Sequence, residues 1–371
     1  MPQEWLSGRI MVDLVALNDD ILDAEISHSI GLHRLATGII GRMISILDSM
    51  DSEIYDVVRK RDPYGTTGKW SYNRIRLILE DVMSLNKEAY VLVHRLLGDE
   101  LRELAVYEAN FQGSLLQRIV PIRYSFRIPS LVQLHAAVTD APFEGALLSE
   151  WVAGMEEGRY SRLRNAIRIS FVNGEPLDAM HRRIRGSPAA KFKDGVLAIS
   201  RRSAETVGRT AVMHTATAAR QLTFEANADL IKGIQWVSTL DTRTTPICRA
   251  RDGKVWPVDE GPRPPAHLNC RSTTTPVVKS WKELGIDLDE APEGTRASMT
   301  GQVPAKTTYE EWLRRQSVDM QNEVMGIAKA TLFRKGNLSM EKFVDATGRA
   351  YTLAELKARE SEAWKRAGLA A

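Results

Sequence analysis

Residues 234–277 read IQWVSTLDTRTTPICRARDGKVWPVDEGPRPPAHLNCRSTTTPV, and this stretch decides how the rest of the chain is interpreted. It holds both cysteines of the chain, Cys248 and Cys270, with His267 three residues before the second. Residues 234–240 alternate large apolar side chains with smaller polar ones, which predicts a strand buried mainly on one face. The other elements are placed outward from this strand.

Turn-forming residues follow the predicted strand. Asp241 can accept hydrogen bonds from the next backbone amides, and the forked donors of Arg243 can connect one loop to another. Asp252-Gly253 is the strongest short hairpin signal in the chain, because Gly takes the positive φ that a primed turn needs. We therefore predict that residues 254–256 form the returning strand.

Three prolines, Pro262, Pro264 and Pro265, then favour an extended crossing of the chain. Residues 271–277 are rich in β-branched Thr and Val and are predicted to be a third short strand. The stretch is thus expected to form a small antiparallel β motif.

The run W-x4-D-x-R-T, P-x-C, D-G-K-V and PP-x-H-x-N-C-R resembles the signature of the phage head-morphogenesis family, the minor head proteins similar to phage Mu protein F. A weaker resemblance extends back to about residue 130 and forward through residues 309–345. The resemblance implies that the motif positions define the fold rather than perform chemistry. These positions are Trp236, Asp241, Arg243, Thr244, Asp252, Gly253, Pro265, Asn269 and Arg271.

Cys248, His267 and Cys270 are the candidate metal ligands of the motif. Many members of the family carry further cysteines where this chain has Thr245 and Ser272. A structural zinc site normally has four sulfur or nitrogen ligands, and this stretch offers three. We expect these three side chains to lie close together with less than one zinc per chain, and we predict no cofactor.

The remainder of the chain is predicted to be predominantly helical, which gives an α+β fold: helical N-terminal and middle regions, the β motif, and a helical tail. The predicted division is a helical N-terminal unit (1–120), a helical, basic middle region (121–228), the β motif domain (229–286), a flexible connector (287–306) and a helical tail (307–371). Breaks are expected near residues 27–31, Gly98 and Gly158. Residues 32–57 have one apolar helical stripe, which predicts a core face. Thr308 is expected to cap a helix that runs through Gln316, and residues 318–329 are predicted to form another helix. Residues 353–368 are interpreted as a solvated helix.

The net charge of +3 is too small to predict a nucleic-acid partner, but its distribution is uneven. Residues 159–220 hold 13 Lys and Arg against 4 Asp and Glu, a local charge of +9. Such density could neutralise phosphates, although a solvated face is the simpler interpretation. The candidate DNA contacts are Arg159, Arg162, Arg182, Arg183 and Arg185.

Composition excludes several classes of protein. Two cysteines in 371 residues argue against a disulfide-built secreted scaffold and suit a reducing cytosol. The first twenty residues lack the apolar core of a signal peptide, and no apolar run is expected to be long enough to cross a bilayer.

Catalytic patterns are weak. The chain has no G-x-S-x-G elbow and no phosphate-cradling G-x-x-x-x-G-K-S/T loop. The one set that resembles a catalytic arrangement is Cys248, His267 and Asp241, and a structural role for it has more weight. We therefore predict that the chain is not an enzyme.

The resemblance implies a phage minor head protein, associated with the portal and assisting DNA packaging or delivery. It implies the portal and other head proteins as partners, with packaged double-stranded DNA as a further candidate, no membrane and no small-molecule substrate. The expected location is the virion, at the capsid interior or portal vertex, after assembly in the host cytoplasm. Two alternatives stay open: a toxin-like or nuclease enzyme using the neighbourhood of Cys248 and His267, and a nucleic-acid-binding protein with a degenerate zinc ribbon.

Overall fold

The computed structural model describes residues 17–61, 72–119, 125–280, 282–284 and 294–369. Across these residues the chain is mainly helical with a small antiparallel sheet, so the predicted α+β class is confirmed. The helices are α1 (Leu17–Arg61), α2 (Tyr72–Ile119), α3 (Leu131–Thr139), α4 (Leu148–Val172), α5 (Leu177–Arg185), α6 (Val196–Ala226), α7 (Pro246–Arg251), α8 (Tyr309–Arg314), α9 (Val318–Met325), α10 (Ile327–Arg334), α11 (Leu353–Arg359) and α12 (Ser361–Ala367), with a 3-10 helix at Met340–Phe343. The strands are β1 (Ile231–Val237), β2 (Val255–Trp256), β3 (Thr273–Val278), β4 (Thr295–Ser298) and β5 (Gly301–Pro304).

The three-stranded sheet has the order β2-β1-β3, and both outer strands run antiparallel to β1. Ile234 lies opposite Trp256 on one side and Pro276 on the other. β1 ends earlier than predicted, because the amide of Ser238 donates to the carboxylate of Asp252 (2.6 Å).

The tight hairpin predicted at Asp252-Gly253 is wrong, although β1 and β2 do pair as expected. α7 lies between the two strands, and Gly253, with φ 78°, turns the chain from α7 into β2. The amide of Gly253 donates to Trp236 O (2.9 Å), and Trp236 N donates to Lys254 O (2.9 Å). The positive φ is therefore used at a helix end rather than in a two-residue hairpin.

The predicted flexible connector is wrong for residues 295–304, which form the β4–β5 hairpin. Arg296 on β4 is buried, and its guanidinium donates to the carboxylate of Asp252 (3.2 and 3.3 Å). This buried ion pair anchors the hairpin. Residues 287–293 of the predicted connector lie outside the described residues.

The chain divides into two compact units, each built from segments distant in sequence. Unit 1 comprises Met1–Ile30, Glu108–Pro129 and Arg220–Ala371, and unit 2 comprises Gly31–Tyr107 and Ser130–Ala219. The five consecutive regions predicted from the sequence are a different division and stay a prediction.

Unit 1 contains the sheet and the C-terminal helices. One apolar cluster packs β1 and β3 against the ends of long helices, through Ile21, Leu116, Phe224, Ile234 and Val278. A second cluster surrounds the buried Trp312. The solvated interpretation of residues 353–368 is wrong, because the second cluster also buries Leu356, Ala363 and Ala367.

Caps explain the boundaries of the C-terminal helices. Thr308 caps α8 as predicted, since its Oγ1 accepts from Glu311 N (3.3 Å) while the Glu311 carboxylate accepts from Thr308 N (2.9 Å). Gly326, with φ 77°, separates α9 from α10 in a region predicted to be one helix.

Unit 2 is helical. Most residues of the apolar stripe predicted on α1 are buried in its core, so this prediction is largely confirmed. Buried residues of that stripe are Leu32, Ile39, Met43, Leu47, Met50 and Ile54, whereas Leu35 is exposed. α4 runs without a break through Gly158, and α1 and α2 are likewise continuous. A helical glycine costs only about 1 kcal/mol relative to alanine, which is too little to break a helix of this length.

One helix in the described part of the chain, Asp19–Arg61, is long and apolar enough to cross a membrane, with an 18-residue window of mean hydropathy 1.3. The expectation that no apolar run approaches this length is not met there. The core helix of a soluble protein passes the same test, so this is weak evidence for a membrane span. The absence of a membrane partner stays a prediction.

Candidate functional site

The candidate site lies in unit 1, where α7 approaches the turn around residue 268. Cys248 is on α7, and His267 and Cys270 share a turn closed by a hydrogen bond from Cys270 N to His267 O (3.1 Å). Asn269 takes a φ of 60° within the turn, and Pro265 enters it through a cis peptide bond with Pro264. Helix and turn together place the two sulfur atoms and the imidazole side by side.

The three potential ligand atoms form a small triangle. Cys248 Sγ lies 3.7 Å from Cys270 Sγ and 3.4 Å from His267 Nε2, and all three atoms lie within 4.8 Å of one another. Both cysteines are free thiols and buried. The prediction that these side chains are close in space is confirmed.

Two hydroxyl groups, those of Thr245 and Ser272, border this triangle. Thr245 Oγ1 lies 2.8 Å from His267 Nε2. The Ser272 hydroxyl lies 3.2 Å from Ser238 Oγ, which in turn donates to Cys248 O (2.9 Å). The side chains of Thr245 and Ser272 also hydrogen-bond to the Cys248 sulfur.

The two thiols lie within hydrogen-bond distance of each other, and this contact shifts their pKa values in opposite directions. The hydrogen bond between Cys248 and Cys270 is the main reason why the pKa of Cys270 is lowered. The same Cys248–Cys270 hydrogen bond, followed by burial, raises the pKa of Cys248. Negative charge in this pair therefore concentrates on Cys270.

Asp241 organises the loop that leads from β1 into α7. Its Oδ1 accepts from the amides of Arg243 and Thr244 (3.0 Å each), as predicted for a carboxylate after a strand. Arg271 donates to both carboxylate oxygens (2.6 and 2.9 Å). Burial would raise the pKa of Asp241, but the Arg271 contacts, followed by those of Thr244, hold it below its usual range. The loop-tying role suggested for Arg243 belongs to Arg271, and the Arg243 side chain is exposed.

Asp252 is the second organising carboxylate. Besides the amide of Ser238 and the guanidinium of Arg296, it accepts from Tyr309 N (2.7 Å). Arg296 also donates to Ser238 O (2.7 Å) and Thr307 O (3.1 Å). The strand end, α7, the hairpin and α8 are thus joined at one buried ion pair.

Trp236 occupies the centre of this region and is almost fully buried. Its Nε1 donates to Ser238 Oγ (2.9 Å), and the Arg251 guanidinium lies 5.1 Å from the ring centroid. The indole is packed with Cys248 and Cys270. Its role here is to support the cysteines.

Gly253→Val is expected to lower the free energy of unfolding by about 1 to 3 kcal/mol. The φ of Gly253 is 78°, and a Cβ at this position would lie 2.8 Å from Thr308 Cγ2. Urea denaturation measures the change. Gly253→Asn is the matched control. Because Asn tolerates positive φ better than a β-branched residue, this variant should lose less stability than Gly253→Val. Equal stability of the Val variant and the parent would contradict the backbone argument.

The candidate DNA contacts lie in unit 2 and differ in exposure. Arg159 is fully buried and its guanidinium pairs with Asp51 and donates to Asn86 Oδ1 (2.7 Å), so its prediction as a DNA contact is wrong. Arg162 is partly exposed. Arg182, Arg183 and Arg185 are exposed on α5, as expected for a surface that meets phosphates.

Sequence reasoning missed Arg296 and Tyr309 as residues of this site. Tyr309 donates its hydroxyl to Asp241 O (2.7 Å) and its amide to Asp252, so it contacts both organising segments. The sequence does contain a signal for the hairpin that carries Arg296. This arginine lies in the alternating run T-R-A-S, which is followed after a short turn by a second run of similar length. That pattern fits a hairpin as well as a connector.

Comparisons with known proteins give one match. The family model of the Phage Mu protein F like protein matches residues 161–275, which include β1, β2, α7 and the cysteine triangle. No curated protein and no solved structure matches the chain. The resemblance inferred from the motif is thereby confirmed, and the match indicates a phage head-morphogenesis protein. Residues 161–275 of this chain are therefore similar to the phage Mu protein F like family.

Proposed function

We propose that this chain is a phage minor head protein, incorporated in few copies near the portal, where it assists DNA packaging or delivery. The observation that carries the proposal is the match of residues 161–275 to the Phage Mu protein F like protein. The contacts of Asp241 and Asp252 support it, because both carboxylates hold loops in place. A protein of this kind needs well-formed surfaces rather than reactive groups.

The alternative of a Cys/His/Asp enzyme has less support from the contacts. The carboxylate of Asp241 is engaged by Arg271 through both oxygens, so it does not serve to orient His267. The Cys248 thiol is buried, and its pKa is raised, chiefly by its hydrogen bond to Cys270. A nucleophilic cysteine needs an exposed, stabilised thiolate.

Protein composition of purified virions tests the proposed role. Quantitative mass spectrometry should find this chain in procapsids and virions at far fewer copies than the major capsid protein. Cross-links to the portal are expected from residues 1–120, the region we propose for docking. If the chain is missing from procapsids and virions alike, the proposal is wrong, and activity assays of the Cys248 neighbourhood become the next step.

We further propose that the end of α5 contacts packaged DNA. Arg183 is paired with Glu175, and the Arg185 guanidinium lies 4.9 Å from the Phe192 ring centroid. Arg182 is exposed beside them and keeps its charge available for a phosphate. Binding of this kind depends on released counterions and ignores base sequence.

The double change of Arg182 and Arg185 to Ala is expected to make the negative slope of log K against log salt shallower by about 2, one for each phosphate that is no longer neutralised. Titration of duplex DNA at several salt concentrations measures it. Arg183→Ala is the matched control and should change the slope less, because Glu175 already neutralises that guanidinium. Identical slopes for the double variant and the parent would remove DNA from this surface.

A further inference from the structure

The two distances from Cys248 Sγ, to Cys270 Sγ and to His267 Nε2, are close to those in a tetrahedral metal site. Zinc binds thiolate sulfur at about 2.3 Å and imidazole nitrogen at about 2.0 to 2.1 Å, so tetrahedral angles put two sulfurs about 3.8 Å apart and a sulfur and a nitrogen about 3.5 to 3.6 Å apart. The observed distances are 3.7 Å between the sulfurs of Cys248 and Cys270 and 3.4 Å from Cys248 Sγ to His267 Nε2. All three atoms lie within 4.8 Å of one another, so a single ion could contact them together.

We propose that Cys248, Cys270 and His267 bind one zinc-class divalent cation whose fourth ligand is an oxygen. The nearest candidate oxygen is the Thr245 hydroxyl, 2.8 Å from His267 Nε2, with water as the other source of the same donor. The sequence offers three sulfur or nitrogen ligands where a structural zinc site normally has four, and on this ground we predicted less than one zinc per chain. Three such ligands with an oxygen at the fourth position form a recognised zinc arrangement, in which the fourth ligand can be exchanged.

The surroundings hold the ligands in the orientation that a cation needs. His267 Nδ1 lies 2.9 Å from Leu268 O. A carbonyl can only accept, so Nδ1 carries the proton, and the lone pair of Nε2 points toward the sulfurs. The hydroxyls of Thr245 and Ser272 contact the Cys248 sulfur and can donate to a thiolate there.

Neighbouring charges also favour two thiolates with a dication. Arg251 and Arg271 both interact electrostatically with the two cysteines. Arg271 is already paired with Asp241. Two thiolates and one divalent cation are together neutral, whereas two unligated thiolates would place an uncompensated charge in a buried site.

Cobalt titration of the full chain tests the site. After removal of metal with a chelator, Co²⁺ is added and visible absorption is recorded, because tetrahedral cobalt with thiolate ligands absorbs strongly. One equivalent of Co²⁺ should saturate the spectrum, and zinc should displace it. Cys270→Ser should abolish the thiolate bands, with circular dichroism to check that the variant is folded.

Thr245→Cys is the decisive variant, because it adds a thiolate at the proposed fourth position. It should tighten Co²⁺ binding by about tenfold or more and shift the spectrum toward three sulfur ligands. Ser49→Cys, which adds an exposed thiol on α1, is the matched control and should leave affinity and spectrum as in the parent. If Thr245→Cys changes neither affinity nor spectrum, or if parental binding survives Cys270→Ser, the proposal is overturned. The readout needs no phage particle, so it is independent of the proposed head function.

Discussion

Asp252→Ala is expected to destabilise the protein by about 3 to 5 kcal/mol, because it leaves a buried guanidinium without its counterion. The Arg296 side chain is only 4% exposed and Asp252 is fully buried as a side chain. The same change removes the acceptor for the buried amides of Ser238 and Tyr309. Thermal or urea unfolding of the full chain measures the loss.

Asp259→Ala is the control for this experiment, since Asp259 lies in the same region but is exposed. Its change should stay within about 0.5 kcal/mol, as for most surface substitutions. Asp252→Asn should fall between the two, because an amide oxygen still accepts from Ser238 while the charge is lost. Similar stability of the Asp252 and Asp259 variants would show that the buried ion pair contributes little.

Arg220→Met is expected to produce a loss of similar size, about 3 to 5 kcal/mol at neutral pH. Arg220 on α6 is buried between two carboxylates, with its Nη2 3.2 Å from Glu25 and 2.7 Å from Glu108. It also donates to Thr274 O (2.9 Å) and to the hydroxyl of Thr273 on β3. Arg202→Met, an exposed change on the same helix, is the control and should have little effect.

The network around Arg220 predicts an unusual dependence on pH. Burial raises the pKa of Glu25 to about 7, whereas Glu108, despite its burial, has a pKa lowered to about 2 by Arg220 and His28. A carboxyl with a raised pKa in the folded state contributes stability at low pH that is lost as pH rises from about 4.5 to about 7. Glu108 has the opposite sign, and its contribution is lost as pH falls from about 4.5 to about 2.

Glu25→Gln isolates the first of these contributions. The variant should be more stable relative to the parent at pH 8 than at pH 5, because Gln cannot acquire the buried negative charge. The deficit of Arg220→Met should likewise grow from pH 5 to pH 8, since both carboxyl groups then ionise without their cation. Stability differences that do not vary over this range would contradict the assignment of Glu25.

Local patterns in the sequence predicted the elements whose causes are local. The turn chemistry of Asp241, the cap at Thr308 and the apolar stripe of α1 each depend on residues within a few positions. The proximity of Cys248 and His267 was inferred from a motif, which encodes a fold rather than a local preference. These predictions needed no knowledge of distant segments.

The failures have a common physical origin in contacts between distant segments. An arginine in a basic helix looks solvated, yet Arg159 is buried because Asp51 and Asn86, 108 and 73 residues away, supply its acceptors. Arg296 lies in a stretch rich in small polar residues, and its burial depends on acceptors at Asp252, Ser238 and Thr307. Charge density along a sequence does not distinguish a charge that faces solvent from one that is neutralised inside.

The ion pair of Asp252 and Arg296 also bears on where a self-sufficient folding unit ends. The family match stops at residue 275, but the donors that complete Asp252 come from residues 296 and 309. A fragment that ends at residue 275 would therefore lack the donors from Arg296 and Tyr309, and the carboxylate of Asp252 would be left with too few hydrogen bonds. During synthesis, the motif is expected to remain sensitive to proteases until α8 has left the ribosome, because the donors to Asp252 are translated after the motif itself.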